Sequence, residues 1–226
     1  MARISRIVVP EYPHHVTQRG VRSMTVFESD AEREQYLAFV AEETCRFDVG
    51  ILAWCLMTNH VHFIATPKTE TGLARAFGEA HRRYTRMKNF SEGVRGYLFQ
   101  GRFSSTVLDE RHLFAAARYI ELNPVRAHIA GHAWEYRWSS ARYHMGISET
   151  DPLLKERKLP AIIGDWKEFL LSGEETEQNE LRWATRTGHP AGNANFVKII
   201  ESITARCLSV NKPGRPRKNL NVKNDK

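Results

Sequence analysis

At 226 residues, with 42% hydrophobic and 10% aromatic side chains, the chain is long enough to bury a sizeable core and too apolar to be disordered throughout. A formal charge of +7 and a pI near 9.4 point to a polyanionic partner. Three widely separated cysteines (Cys45, Cys55 and Cys207) argue against a disulfide framework or a zinc knuckle, which need closer or paired spacings.

The first ten residues interrupt their apolar positions with Arg3, Arg6 and Pro10, so they lack the continuous apolar stretch of a signal peptide. The longest apolar run, Ile51 to Met57, is too short to span a bilayer. These features lead us to expect a cytoplasmic protein with no membrane partner. His15 to Gly20 reads as a short strand closed by glycine. Asp30 to Phe47 carries Tyr36, Val40 and Phe47 in a helical pattern, with Ser29 or Asp30 as its cap. Val49 to Met57 is a buried strand, and Thr58-Asn59 turns the chain into a second strand from His60 to Thr66.

Leu73, Phe77, Ala80, Tyr84 and Met87 form one apolar stripe on a helix from Leu73 to Lys88, and Arg75, Arg82 and Arg86 form a basic stripe opposite. Tyr97 to Asp109 alternates as a strand with a bulge or close approach at Gly101. A helix then runs from His112 to about Asn123, where Pro124 interrupts it. The order β-α-β-β-α-β predicts an α+β fold, a ferredoxin-like sandwich whose antiparallel sheet carries helices on one face, followed by a further helix. Residues 1–150 are expected to form the main domain and 151–211 a small helical extension. In that extension Asp165 to Leu171 and Phe196 to Arg206 read as helices, Ser172 to Glu180 as an acidic loop and Arg186 to Pro190 as a loop. Residues 212–226 hold six Lys or Arg against one Asp and are expected to be a basic flexible tail suited to phosphate backbones.

Two constellations carry chemistry. In Asn59-His60-Val61-His62-Phe63, strand alternation points His60 and His62 to one face, where two imidazoles offer two ligands to one metal ion. Taken alone, such a pair is more often simply two polar residues on a sheet. In Arg118-Tyr119-Ile-Glu-Leu-Asn123-Pro-Val-Arg126, helical spacing makes Tyr119 and Asn123 neighbours. Each has a plain structural alternative, a half-buried phenol for Tyr119 and a helix cap for Asn123.

Taken together, in this order and on these elements, the two constellations resemble the active site of HUH tyrosine transposases, in particular the REP-associated branch of the IS200/IS605-like family. Cys55 to Phe63 is similar to that family's histidine strand, and Tyr119 to Ala127 to its nucleophile helix. Val16 to Gly20 and Phe99 to Phe103 are similar to its first and last sheet strands, while Arg186 to Pro190 and Gly214 to Lys218 are similar to its C-terminal elements. The likeness covers about residues 1–145. It implies a single-stranded DNA endonuclease and strand transferase that cleaves and rejoins REP-like hairpins. Tyr119 would attack the phosphate to leave a 5′-phosphotyrosine, and Mg²⁺ or Mn²⁺ would sit on His60, His62 and Asn123. Insertion-sequence relatives carry glutamine where Asn123 stands, so the third ligand is open, with His112 as a substitute.

The partner would be a single-stranded DNA hairpin with an adjacent guide sequence, acting on a monomer or a homodimer. Candidate DNA contacts are Arg19, Arg75, Arg82, Arg86, Arg102, Arg118, Arg126, Arg215, Arg217 and Lys218, with Tyr12 or Phe103 available to stack on unpaired bases. Two other functions stay open: a catalytically silent protein that binds repeat hairpins, and a metal-dependent hydrolase. The hydrolase would want carboxylates near the histidines, and none lies within seven residues of the pair.

Overall fold

Alternation along four strands creates two different sheet faces, and each collects its own helices. The computed structural model describes residues 6–172 and 175–208. Strands β1 (His14–Arg19), β2 (Val49–Met57), β3 (His60–Pro67) and β4 (Ser104–Val107) form an antiparallel sheet in the order β2-β3-β1-β4. Helix α1 (Asp30–Arg46) joins β1 to β2, and α2 (Gly72–Glu92) joins β3 to β4. This is the ferredoxin-like arrangement that periodicity predicts.

Ser29 caps α1 by accepting the Glu32 N–H at 3.2 Å, with Asp30 and Glu32 favourably placed in the first turn. Leu73, Phe77, Ala80 and Tyr84 of α2 are buried with Tyr36 and Val40 of α1 against Val16, Val61 and Phe63. The other face receives α3 (Glu110–Glu121), whose Ala116, Ala117 and Ile120 share a core with Ala53, Cys55 and Ile64. A register shift in β2 lets Ile51 and Ala53, two residues apart, serve opposite faces.

The chain after α3 closes over that second face. It runs through α4 (Asn123–Arg126), α5 (Ala141–His144), α6 (Lys158–Ile163), α7 (Trp166–Leu171) and α8 (Glu175–Thr187). Leu159, Trp166, Leu170 and Leu181 join the core of α3. Helix α9 (Ala194–Thr204) packs Phe196 and Ile200 on Ile7, Val9 and Val107.

Three local expectations change. The strand predicted from Tyr97 to Asp109 is regular only over Ser104–Val107, and within it Gly101 (φ +63°) leaves the extended region. The segment predicted as an acidic loop up to Glu180 enters α8 at Glu175, and Arg186 lies in the last turn of that helix rather than in a loop. Its sequence is polar except for Leu181, Trp183 and Ala184, too few apolar positions to announce a helix before its packing is known. The basic tail lies outside the described residues. Among the described residues no helix is long and apolar enough to cross a membrane.

Candidate active site

Strand register assembles the site. On β1, Thr17 stands opposite His62 and Arg19 opposite His60, while His15 is a diagonal neighbour of His62. These side chains share the sheet face that α3 and α8 cover, and Tyr119 reaches them from α3. They line a cavity of about 510 Å³ that Arg182, Thr185 and Arg186 of α8 complete, and no carboxylate lines it among the described residues. Tyr119 meets His62 edge-on with ring centroids 5.8 Å apart, and His60 and His62 are 5.1 Å apart.

Both histidines expected to hold a metal have one nitrogen engaged. Asn59 donates its amide N–H to the Ser23 carbonyl at 3.2 Å, which leaves its oxygen to accept from His60 Nδ1 at 2.6 Å. His62 Nδ1 is 3.0 Å from His15 Nε2. Burial holds all three imidazoles in the neutral form. The pKa of His60 falls to about 4, chiefly by burial and then by Arg19. That of His15 falls to about 3. His62 lies well below the usual range, through burial and then its histidine neighbours. Neutral imidazoles are the form that ligates metal. Among the described residues, however, no cluster of three His, Cys, Asp or Glu offers a ready-made metal cage.

Asn123 is buried beside Tyr119 but does not line the cavity; its carbonyl oxygen accepts from Arg126 at 3.0 Å. Its amide nitrogen is buried without a hydrogen-bond partner among the described residues. His112 is elsewhere, at the start of α3, with Nδ1 2.7 Å from Asp109 and Nε2 3.4 Å from Glu180.

Tyr119 itself is held from two sides. The Arg126 guanidinium lies 4.1 Å from the ring centroid and donates to the Tyr119 carbonyl at 2.5 Å, while Arg182 approaches the ring at 5.7 Å. Burial, the largest influence, lowers the pKa of Arg126. On the opposite side of α3, Glu121 is fully buried. It accepts from Ser140 at 2.6 Å and from Trp166 Nε1 at 2.8 Å, and lies 2.6 Å from His144 Nδ1. This carboxylate ties the tyrosine helix to α5 and α7.

The arginines predicted to contact DNA divide by location. Arg19 lines the cavity. Arg82, Arg86 and Arg102 border a separate groove of about 850 Å³ between α2 and residues 94–103, with Arg82 bridged to Glu79 at 2.6 Å. Arg75 lies over Phe47 at 4.4 Å. Arg118 turns away from the cavity, donating to the Phe169 carbonyl at 2.9 Å. Arg215, Arg217 and Lys218 lie outside the described residues. Phe103 is buried beneath Arg6 rather than open to bases, and Tyr12 packs against Phe196. The exposed aromatic ring bordering the groove is Tyr97, 90% accessible.

Sequence reasoning passed over His15, Arg182 and Thr185 as site residues. The usable signal for His15 was the pairing of the first and third strands, which sets it beside the histidine pair. Arg182 and Thr185 gave no signal, because α8 reads as polar surface until it is placed.

A family model for IS200-like transposases matches residues 9–123, a span that includes His60, His62, Tyr119 and Asn123. A solved structure of a REP-associated tyrosine transposase bound to a REP hairpin shares the fold. Its TM-score is 0.53 over 69% of this chain and 92% of that one, at 14% sequence identity. No curated protein matches the chain.

Proposed function

Because the chain belongs to the IS200-like transposase family, we propose that it cleaves and rejoins single-stranded DNA at REP-like hairpins, with Tyr119 as nucleophile. The observation that carries this reading is the convergence of Tyr119, His60 and His62 on one cavity edged by Arg19, Arg182 and Arg186. The Tyr119 oxygen attacks the scissile phosphorus in line. A tyrosyl O–P bond forms as the bond to the 3′ oxygen breaks; the phenolic proton is given up and the 3′ oxygen departs as a hydroxyl. The bond energy is kept in the 5′-phosphotyrosine, so a 3′-hydroxyl can attack it and restore a phosphodiester.

Arg19, Arg182 and Arg186 hold the phosphate by charge, and Arg126 behind the ring fixes the direction of attack. His60 and His62 fit a divalent ion through their Nε2 atoms, and Mg²⁺ or Mn²⁺ bound there would supply charge stabilisation for the phosphate oxygens. Two neutral imidazoles are a weak ligand set for a hard cation, so DNA phosphate would complete the coordination. The groove along α2, with Arg86, Arg102 and Tyr97, suits a further stretch of the same DNA.

One observation favours a second reading, a hairpin-binding protein without strand transfer: the Asn123 oxygen is taken up by Arg126. Incubation with a hairpin carrying single-stranded flanks, together with Mn²⁺, separates the two. A covalent protein–DNA adduct that vanishes in Tyr119→Phe while hairpin binding persists supports the transposase. Tight binding with no adduct under any divalent ion overturns it in favour of the binding protein.

A further inference from the structure

We propose that His15 is a positioning residue for His62, holding it with hydrogen on Nδ1 and a free lone pair on Nε2 through a hydrogen-bonded line that ends on Thr185 of α8. This rests on the reading of His60 and His62 as the metal-holding pair.

The line is short and enclosed. His62 Nδ1 lies 3.0 Å from His15 Nε2, and His15 Nδ1 lies 3.1 Å from Thr185 Oγ1. The two rings are within 14° of parallel, and both histidines are buried. A neutral imidazole carries one N–H, so the line runs in one of two directions. In the first, His62 donates Nδ1–H to His15 Nε2, and His15 donates Nδ1–H to the Thr185 hydroxyl oxygen. His62 Nε2 then keeps its lone pair. In the second, Thr185 donates to His15, His15 donates to His62, and His62 Nε2 carries a hydrogen that bars it from any metal.

The first direction is the one that matches His60. There the amide of Asn59, oriented by the Ser23 carbonyl, forces hydrogen onto Nδ1 and frees Nε2. The two histidines then present equivalent nitrogens. A ligating histidine ordinarily donates its other ring N–H to a fixed acceptor, and here the acceptor for His62 is a third histidine. The acceptor for that histidine lies on α8, beyond the residues 9–123 that the family model matches. Helix α8 therefore supplies the far end of the hydrogen-bonded line as well as covering the site.

Long-range ¹H–¹⁵N spectra of the histidine rings in the metal-free full-length protein read the tautomers directly. Hydrogen on Nδ1 of both His15 and His62 is expected, and hydrogen on Nε2 of His62 overturns the proposal. Mn²⁺ titration of the hairpin-bound protein against a hairpin-only blank, followed by the electron-paramagnetic signal of the free ion, gives the second readout. His15→Phe should weaken Mn²⁺ binding about 10- to 100-fold, and Thr185→Val should weaken it less. His15→Gln, whose amide oxygen can reach the place of Nε2, should recover most of the loss. Unchanged Mn²⁺ affinity in His15→Phe overturns the proposal even if the variant folds well. If the wild-type protein takes up no Mn²⁺ although His62 carries hydrogen on Nδ1, the tautomer assignment stands and the metal role in the proposed function fails. His60→Ala marks the difference, because it should abolish Mn²⁺ uptake and leave the His62 tautomer unchanged.

Discussion

The two faces of the sheet are built from alternate residues of the same strands, yet they do opposite work. Val61 and Phe63 point into the core beneath α1 and α2, while His60 and His62, one residue away each, point into a cavity that α3 and α8 cover. The first face is closed by apolar packing. On the second, apolar packing of α3, α7 and α8 surrounds a polar gap in which neutral imidazoles, a phenol and arginines meet. A strand that alternates in this way lets stability and chemistry be changed almost separately, and that separation is open to test.

The sharpest contrast is between neighbours. His62→Ala should lower the rate of covalent adduct formation by on the order of 10³-fold or more, with only a small change in melting temperature, since a cation held at the phosphate, as proposed, would contribute several kcal/mol. Phe63→Ala should do the reverse. It should cost about 3–5 kcal/mol of stability, measured by denaturant titration, while folded molecules keep their adduct rate. Equal losses of rate in both variants would break the contrast.

Glu121→Gln probes the far side of the tyrosine helix. It keeps the volume but weakens the bonds to Ser140 and His144, so unfolding free energy should fall by about 1–3 kcal/mol. The adduct rate should fall with it, because α3 loses its tie to α5. An unchanged rate would mean that Arg126 alone positions Tyr119.

Acid should act on both faces, since His15, His60 and His62 of the cavity are also held neutral by burial, and the first face adds two more such groups. His14 and His81 are buried there with pKa values lowered by burial to about 4 and about 3. His14 Nε2 accepts the Val9 N–H, and His81 Nε2 is 2.9 Å from the Tyr36 hydroxyl. Because the folded values lie below the unfolded value near 6.5, protons bind the unfolded chain first. Stability is full above that pH and declines as pH falls through the window toward 4. At one unit below the unfolded value the loss is about 1.4 kcal/mol per group, measurable as a falling denaturation midpoint. A flat midpoint between pH 7 and pH 5 would contradict it.

The smallest effect belongs to the rim of the cavity. Arg182→Ala and Arg186→Ala should each reduce the salt dependence of hairpin binding by a slope of about one and weaken binding equally across sequences. A change of sequence preference would show that they read bases instead.

The sequence by itself determined the sheet order, the first two sandwich helices and the pairing of His60 with His62, because these rest on periods of 2 and 3.6 and on short connections. It also placed Tyr119 on its helix, through the spacing to Asn123 and the stop at Pro124. Local signals of this kind survive folding because they concern neighbours in the chain. The tertiary structure decided that β4 is short, where Gly101 at positive φ overrides alternation. It also decided that Arg118 turns to Phe169, that Asn123 gives its oxygen to Arg126, and that His15 and Thr185 meet His62. Residues 15, 62 and 185 are far apart in sequence, and only strand register and the packing of a polar helix bring their nitrogen and oxygen atoms within 3.1 Å.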